Sequence, residues 1–151
     1  MPNSSIHHDA SMKHWDDFMG FIDKLSENKR FSSKKSYRFK LAAEELVSNI
    51  IRSSESSFGS TQIMPTLQIA AKEVSLLNYD YLEVVFIDDA PRFDPNFDQL
   101  ESPIHIEAPV ALRPIGGLGL FLVKDSVDSI SYKYCRGQNT YTIEMELESA
   151  S

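Results

Sequence analysis

Apolar residues recur at spacings of three and four in two stretches of the N-terminal half, which is the pattern of amphipathic helices. The first helix is predicted from Met12 to about Glu27, and the second from about Ser33 to Ser53. The second should end where the serine-rich stretch SSESSFGS begins, since such stretches are typical of loops. The apolar positions are Trp15, Phe18, Met19, Ile22 and Leu25 in the first helix, and Phe39, Ala43, Leu46 and Ile50 in the second.

Alternating polar and apolar residues predict two hairpins further along the chain. Thr66–Val74 and Tyr81–Asp88 form the first, and the stretches ISYKYC and TYTIEMEL, joined by the turn RGQN, form the second. Between the hairpins, the segment from Ala90 to Gly117 carries five of the seven prolines and no sustained period. It is predicted to be a long loop that could act as a lid. A third helix should follow from Leu118 to about Ser129.

This order of elements predicts an α+β fold, a two-layer α/β sandwich in which helices cover one face of a mostly antiparallel sheet. A length of 151 residues is about that of one domain, so we expect a single domain over residues 1–151. The first eleven residues are mostly polar and lack a clear period, and we expect a loose N-terminal arm there.

Composition and charge narrow the range of functions. The net charge is −7, and the basic residues are scattered apart from KKSYRFK at Lys34 to Lys40. Nucleic acid is therefore a poor partner, because its phosphates require a broad basic surface. No apolar run reaches the roughly 18 residues of a membrane span, and no secretory signal is recognisable. A single cysteine, Cys135, excludes an internal disulfide and fits a cytoplasmic location.

Three short stretches could carry chemistry. On the second helix, Glu45, Asn49 and Arg52 are spaced so that they share one face. They could supply a general base, an oxygen ligand for a hard cation and a cation for phosphate. The alternative is the solvated flank of a surface helix, and the spacing of Glu45 and Asn49 taken alone favours this alternative.

The second stretch, VVFIDDAPRFDP, ends a strand with Asp88, whose carboxylate could accept hydrogen bonds from the amine of a base. Aspartate before Ala-Pro is also a common turn residue. Phe93 and Pro95 could line an apolar slot or only anchor the loop.

The third stretch, RPIGGLGLFLVK, places glycines before a helix, and helix N-termini are suited to phosphate. No strand feeds it as in a dinucleotide fold, and the Gly-Lys-Ser/Thr of a P-loop is missing. The stretch is compatible both with a loop that binds a ligand and with a plain turn into the helix.

In combination, LAAEELVSNIIRSS, DDAPRFDP and the stretch from RPIGGLGLFLVK to TYTIEMEL resemble the N, G1 and G2 boxes of the GHKL, or histidine-kinase-like, ATPases. Within that superfamily they are most similar to the anti-sigma-factor serine/threonine kinases of the RsbW and SpoIIAB type. The resemblance implies a Bergerat-type ATP-binding fold with a mixed, largely antiparallel sheet. It also implies ATP and magnesium as cofactors.

The resemblance assigns a role to each matching residue. Glu45 corresponds to the general base and Asn49 to the magnesium ligand. Asp88 corresponds to the acceptor of the adenine amino group. The remaining positions of the implied nucleotide site are Arg52 and Arg113 near the phosphates, Phe93 in the adenine box, and Gly116, Gly117 and Gly119 in the lid.

The resemblance further implies a kinase that phosphorylates an anti-sigma-factor antagonist in a partner switch, with a sigma factor as a second partner and a homodimer as the assembly. One position departs from the pattern, because Ala90 stands where the G1 box usually has glycine. This favours an alternative, a nucleotide-gated interaction module without kinase activity. His7, His8 and His14 are expected to be solvated rather than metal ligands, and Cys135 to be a small packed side chain.

Overall fold

The computed structural model describes residues 4–93 and 117–149. In them, a layer of three α-helices lies against one face of a five-stranded sheet, which confirms the predicted α+β two-layer sandwich. The elements in chain order are β1 (Ser4–Asp9), α1 (Trp15–Ser26), α2 (Ser33–Thr61), β2 (Thr66–Ser75), β3 (Asp80–Asp88), α3 (Gly117–Ser126), β4 (Ser129–Cys135) and β5 (Gln138–Leu147), with a short 3₁₀ turn, Met12–His14, before α1.

The order of strands across the sheet is β1-β2-β3-β5-β4, and each pairing among the described residues is antiparallel. Strand β3 is central, with β2 on one side and β5 on the other. Its register sets Asp88 opposite Leu67 of β2 and Asn139 of β5. Because side chains alternate along a strand, Asp88 lies on the same face as Val84 and Phe86, which are fully buried. A carboxylate thus ends a row of core positions.

The core lies between the helices and the inner face of the sheet. Helix α2 crosses the middle of this layer, and its start is capped by Ser32, whose hydroxyl accepts a hydrogen bond from the backbone N–H of Lys35 at 3.1 Å. The largest fully buried side chains are Phe18 and Ile22 from α1, Phe39, Leu46, Val47 and Ile51 from α2, and Leu67, Ile69, Leu82, Phe86, Ile143 and Met145 from the sheet.

The expectation of a loose arm over residues 1–11 is wrong for Ser4–Asp9, which form strand β1. This strand pairs with β2 in the register Ile6 to Ile69, and Ile6 packs against the core. A polar six-residue segment carries too little apolar signal to be recognised by its pattern. Its strand conformation comes from backbone hydrogen bonds to the neighbouring strand.

Helix α2 continues to Thr61, so the predicted end at Ser53 and the predicted loop SSESSFGS are also wrong. Two contacts explain the extension. Ser54 is fully buried in the helix layer, and the carboxylate of Glu55 accepts a hydrogen bond from the backbone N–H of Met12 at 3.2 Å. The helix ends at Gln62, which adopts a left-handed conformation with φ of 62°. Helix α3 is shorter than predicted, since it ends at Ser126 and not near Ser129.

The turn between β4 and β5 is tighter than the predicted RGQN. Cys135 pairs with Gln138, so only Arg136 and Gly137 connect the strands, and their φ angles are 54° and 78°. Two consecutive positive φ angles are the signature of a type I′ hairpin turn. The tighter turn moves Asn139 from the loop into β5. Cys135 is exposed at the end of β4, so the prediction that its side chain is packed is wrong.

Gly137→Ala should lower the free energy of unfolding by about 1 kcal/mol, because alanine is strained at positive φ. Gly20→Ala in α1 is the matched control, and it should raise that free energy by about 0.5–1 kcal/mol through helix propensity. At both positions the added methyl meets no heavy atom within 4 Å among the described residues. Urea denaturation of the three proteins measures both effects. Equal changes at the two sites would contradict the type I′ turn.

Candidate functional site

Helix α2 presents a polar row beside its buried stripe. Glu45, Asn49 and Ser53 follow one another at one-turn intervals and are half-buried. The guanidinium of Arg52 is exposed and donates a hydrogen bond from Nη1 to the Oδ1 of Asn49 at 3.0 Å. The donation identifies Oδ1 as the amide atom that faces cations, because the amide nitrogen could not accept this bond.

The first turn of α3 lies directly against this row. A Cβ atom built on Gly119 would lie 2.8 Å from Oε2 of Glu45 and 3.9 Å from Nδ2 of Asn49. A separation of 2.8 Å is too short for a methyl group, so glycine permits this close approach of α3 to the carboxylate. The structure therefore brings Gly119 next to Glu45 and Asn49, from which the sequence separates it by 70 residues or more.

Asp88 lies at the end of β3 and is 3% exposed. Its Oδ1 accepts hydrogen bonds from the backbone N–H of Ala90 at 3.0 Å and from Nδ2 of Asn139 at 2.9 Å. Burial raises the pKa of the Asp88 carboxyl to about 6, against the opposing effect of these two hydrogen bonds. A buried carboxyl with a raised pKa is typical of functional sites.

Asn139 is the site residue that the sequence analysis missed. It is fully buried and faces Asp88 across the β3–β5 pairing. A signal was present, because extending the alternation of the predicted strand TYTIEMEL by one residue places Asn139 on the same face as the buried Tyr141 and Ile143. Assigning Asn139 to the turn concealed this position.

A small pocket connects the polar row of α2 with Asp88. It encloses about 10 Å³, which is room for about one water molecule. Ligand pockets usually measure about 300–1,000 Å³, so a bound base requires the side chains over this pocket to move. Phe93, which is 43% exposed, and Leu120 of α3 lie over it. The described lining residues are Leu46, Asn49, Ile50, Ser53, Asp88, Phe93, Leu120, Asn139 and Tyr141.

Some of the predicted glycine and arginine positions fall outside the described part of the chain. Arg113 and Gly116 lie outside the described residues, as does Pro95, and Gly117 begins helix α3. The described part of the site therefore consists of Glu45, Asn49, Arg52, Asp88, Phe93 and Gly119, with Asn139 added.

A comparison with family models identifies the fold around this site. The model of the histidine kinase-like ATPase domain matches residues 10–146, which is most of the chain. The chain belongs to this family. No curated protein matches the chain. Membership supports ATP binding by this histidine kinase-like ATPase domain and assigns it to the ATP-using kinases and ATPases. Across residues 4–93 and 117–149, none of the helices is both long and apolar enough to cross a membrane.

The donor set of this ATPase domain is compatible with magnesium. Magnesium prefers oxygen ligands and is usually held by one or two protein groups together with phosphates and water. Asn49 offers one amide oxygen with two lone pairs, only one of which is used by Arg52. Nδ2 of Asn49 is buried and has no hydrogen-bond partner among the described residues.

A second cluster, away from this site, consists of His8, His14 and Asp17. His8 and His14 are half-buried, so of the three N-terminal histidines only His7 is exposed as expected. Their rings stack with centroids 4.5 Å apart and an angle of 10° between planes. A histidine ligand holds a metal ion near the plane of its ring, and two stacked parallel rings share no such point. The arrangement is a packed pair and not a metal centre.

Asp88→Asn should increase stability at neutral pH. The pKa of Asp88 is about 6 in the fold against an ordinary value of 3.8, so its neutral form stabilises the fold at low pH. This contribution is complete below pH 3.8 and is lost as the pH rises through 6. The variant should therefore equal the wild type at pH 4 and exceed it by about 2–3 kcal/mol at pH 8. Chemical denaturation across this range measures the difference, and a difference independent of pH contradicts the raised pKa.

Proposed function

We propose that this ATPase domain is a Mg-ATP-dependent serine/threonine protein kinase of the anti-sigma-factor type, similar to RsbW and SpoIIAB. Its substrate would be a small regulatory protein, an anti-sigma-factor antagonist. The observation that carries the proposal is the approach of Gly119 to Glu45 and Asn49, because it groups a base, a metal ligand and a helix start beside the Asp88 pocket. The resemblance of the three boxes supplies the substrate class.

The chemical step is in-line phosphoryl transfer. The serine hydroxyl of the partner attacks the γ-phosphorus, the bond from that phosphorus to the bridging oxygen breaks, and ADP leaves. Glu45 accepts the proton of the hydroxyl as general base. Asp88 binds the exocyclic amine of adenine through the oxygen that its protein partners leave available. Gly119 lets the α3 backbone approach the phosphates.

Two further groups would act on the phosphates. Asn49 would hold magnesium through Oδ1, and magnesium supplies neutralisation of the phosphate charge when it is bound. Arg52, which contacts the same oxygen, is long enough to turn toward a phosphate instead. Arg113 and Gly116 would complete the phosphate contacts from the predicted lid, and Phe93 would cover the base.

The wider context of this proposal is a partner switch in transcription regulation. The kinase would hold a sigma factor and release it when the antagonist is bound, as the resemblance implies. We further propose a cytoplasmic homodimer that contacts neither nucleic acid nor membrane. The net charge of −7 supports the exclusion of nucleic acid as a partner.

A nucleotide-gated interaction module is the second candidate, and Ala90 is the feature that favours it. Alanine fills space where the family pattern has glycine, and the pocket at Asp88 is small. Such a module would bind Mg-ATP and a partner without transferring phosphate. The two candidates differ in one measurable property, the appearance of phosphoserine or phosphothreonine on the partner.

Glu45→Gln should reduce phosphate transfer by about 10²-fold or more, because the amide cannot accept the proton of the hydroxyl. The assay incubates the protein with magnesium, γ-labelled ATP and candidate antagonist proteins, and calorimetry measures Mg-ATP binding, which the variant should retain. Glu44→Gln is the matched control. It makes the same chemical change on the adjacent, exposed residue of α2 and should keep full activity.

Three outcomes decide between the candidates. Transfer that is lost in Glu45→Gln and kept in Glu44→Gln supports the kinase. Binding of ATP by the wild type without any transfer supports the gated module. Equal transfer by both variants would remove Glu45 from the mechanism.

Gly119→Ala should lower phosphate transfer by about 10-fold to 10²-fold while leaving the melting temperature within a few degrees of the wild type. The new methyl would displace the Glu45 carboxylate, which lies at the flexible end of its side chain, and small misplacements of catalytic groups are costly. Phosphate transfer and thermal denaturation are measured on the same preparation. Unchanged transfer would contradict the close approach of α3 to Glu45.

A further inference from the structure

Asn139 has hydrogen bonds to five groups around the Asp88 pocket. Its Nδ2 donates to Oδ1 of Asp88 at 2.9 Å and to the carbonyl oxygens of Ala90 and Pro91, each at 3.1 Å. Its Oδ1 accepts from the backbone N–H of Phe93 at 3.0 Å and from the hydroxyl of Tyr132 at 2.5 Å. One side chain of β5 thus holds the strand end and the turn that follows it.

These contacts use the full hydrogen-bonding capacity of the amide. An asparagine offers two N–H donors and two lone pairs, and here three acceptors and two donors surround it. No capacity is left for a ligand. Asn139 must therefore act through the groups to which it is hydrogen-bonded. Of these groups, the Asp88 carboxylate is the one that can bind a ligand.

The turn that Asn139 holds is built without glycine. Ala90 is 3% exposed, and it is not among the described non-glycine residues with positive φ, which are Gln62 and Arg136. Its N–H closes a short turn onto the Asp88 side chain, and its carbonyl faces Asn139. The left-handed conformation that alanine resists is not required here, because the turn is stabilised by a buried side chain.

We propose that Asn139 is the positioning residue of the nucleotide site: it holds Asp88 and the turn over residues 88–93 so that the second carboxylate oxygen faces the base. The inference rests on the proposed nucleotide binding and adds the residue that orients its base acceptor.

The geometry gives the carboxylate a defined orientation. Both hydrogen bonds that Asp88 accepts from described residues reach Oδ1, so the carboxylate cannot rotate without breaking them, and within this part of the chain Oδ2 is left for a ligand amine. Among the described residues that line the pocket, no side chain is cationic, so charge neutralisation does not substitute for these bonds. The neighbouring Asp89 carboxylate opposes ionisation of Asp88, and Asn139 favours it.

The test measures Mg-ATP binding from pH 5 to pH 8 for the wild type, Asn139→Ala, Asn139→Ser and Tyr132→Phe. Wild-type affinity should fall as the pH drops through about 6. Asn139→Ala should bind Mg-ATP about tenfold or more weakly at pH 7, since it removes a hydrogen bond to a charged group. Asn139→Ala should also raise the midpoint pH, which is the pH at which Mg-ATP affinity has fallen halfway. A general loss of stability does not produce this effect.

Two of these variants separate positioning from packing. Asn139→Ser keeps one donor for Asp88 and should return the midpoint toward the wild-type value. Tyr132→Phe is the matched control, since it removes the hydroxyl on the opposite side of Asn139 and leaves the Asp88 bond in place. It should leave the midpoint unchanged.

A second measurement needs no nucleotide. The stability gained by Asp88→Asn, followed against pH, reports the pKa of Asp88 directly. Its midpoint should move upward in the Asn139→Ala background. Wild-type protein that does not bind Mg-ATP would overturn the proposed function, and with it base recognition. Wild-type binding combined with unchanged midpoints in Asn139→Ala overturns the positioning role alone.

Discussion

The buried carboxylate of Asp88, at the end of β3, faces the buried amide of Asn139, near the start of β5. The candidate site is arranged around this pair. Placing Asp88 in the core is unfavourable, because burial penalises its charged form. The amide of Asn139 and the N–H of Ala90 offset part of this penalty. Because both bonds reach one oxygen, the same interactions that make the carboxylate tolerable also leave its other oxygen for a ligand.

Helix α2 provides further residues of the candidate site, because it is long and carries a polar row beside its buried stripe. One stripe packs on the sheet, and the adjacent polar row consists of Glu45, Asn49 and Ser53, of which Asn49 and Ser53 line the pocket. The first turn of α3 completes the site, since Gly119 allows its backbone to reach the Glu45 carboxylate. The proposed base acceptor, metal ligand and general base thereby lie on elements whose positions are set by the core.

Much of the fold could be predicted because strong periodicity reflects burial. The sandwich architecture was correct, and the starts of both hairpins and of the two N-terminal helices were correct to within a few residues. The errors occurred where the local sequence favoured a different secondary structure from the one that the tertiary contacts stabilise. SSESSFGS is a typical loop sequence, yet it is helical because Ser54 packs in the helix layer and Glu55 binds the N-terminal segment. Strand β1 is polar and forms because β2 offers it an edge.

In the candidate site too, some residues could be predicted from the sequence and others could not. Glu45, Asn49 and Asp88 could be selected by spacing and residue type, because each lies on an element whose period indicates the direction of its side chains. Asn139 was not selected, because its place depends on whether the hairpin turn has two residues or four, and the alternation of β5 points to it only if the turn has two. Backbone conformation at Arg136 and Gly137 decided that choice and moved Asn139 into β5.

The sequence by itself determined the layers of the fold and the residue types available for chemistry, because periodicity and composition are local properties. Only the tertiary structure decided which of these residues meet. The approach of Gly119 to Glu45 and the pairing of Asp88 with Asn139 join residues at least 50 positions apart. Such contacts depend on strand register and helix packing, which no single segment of the chain specifies.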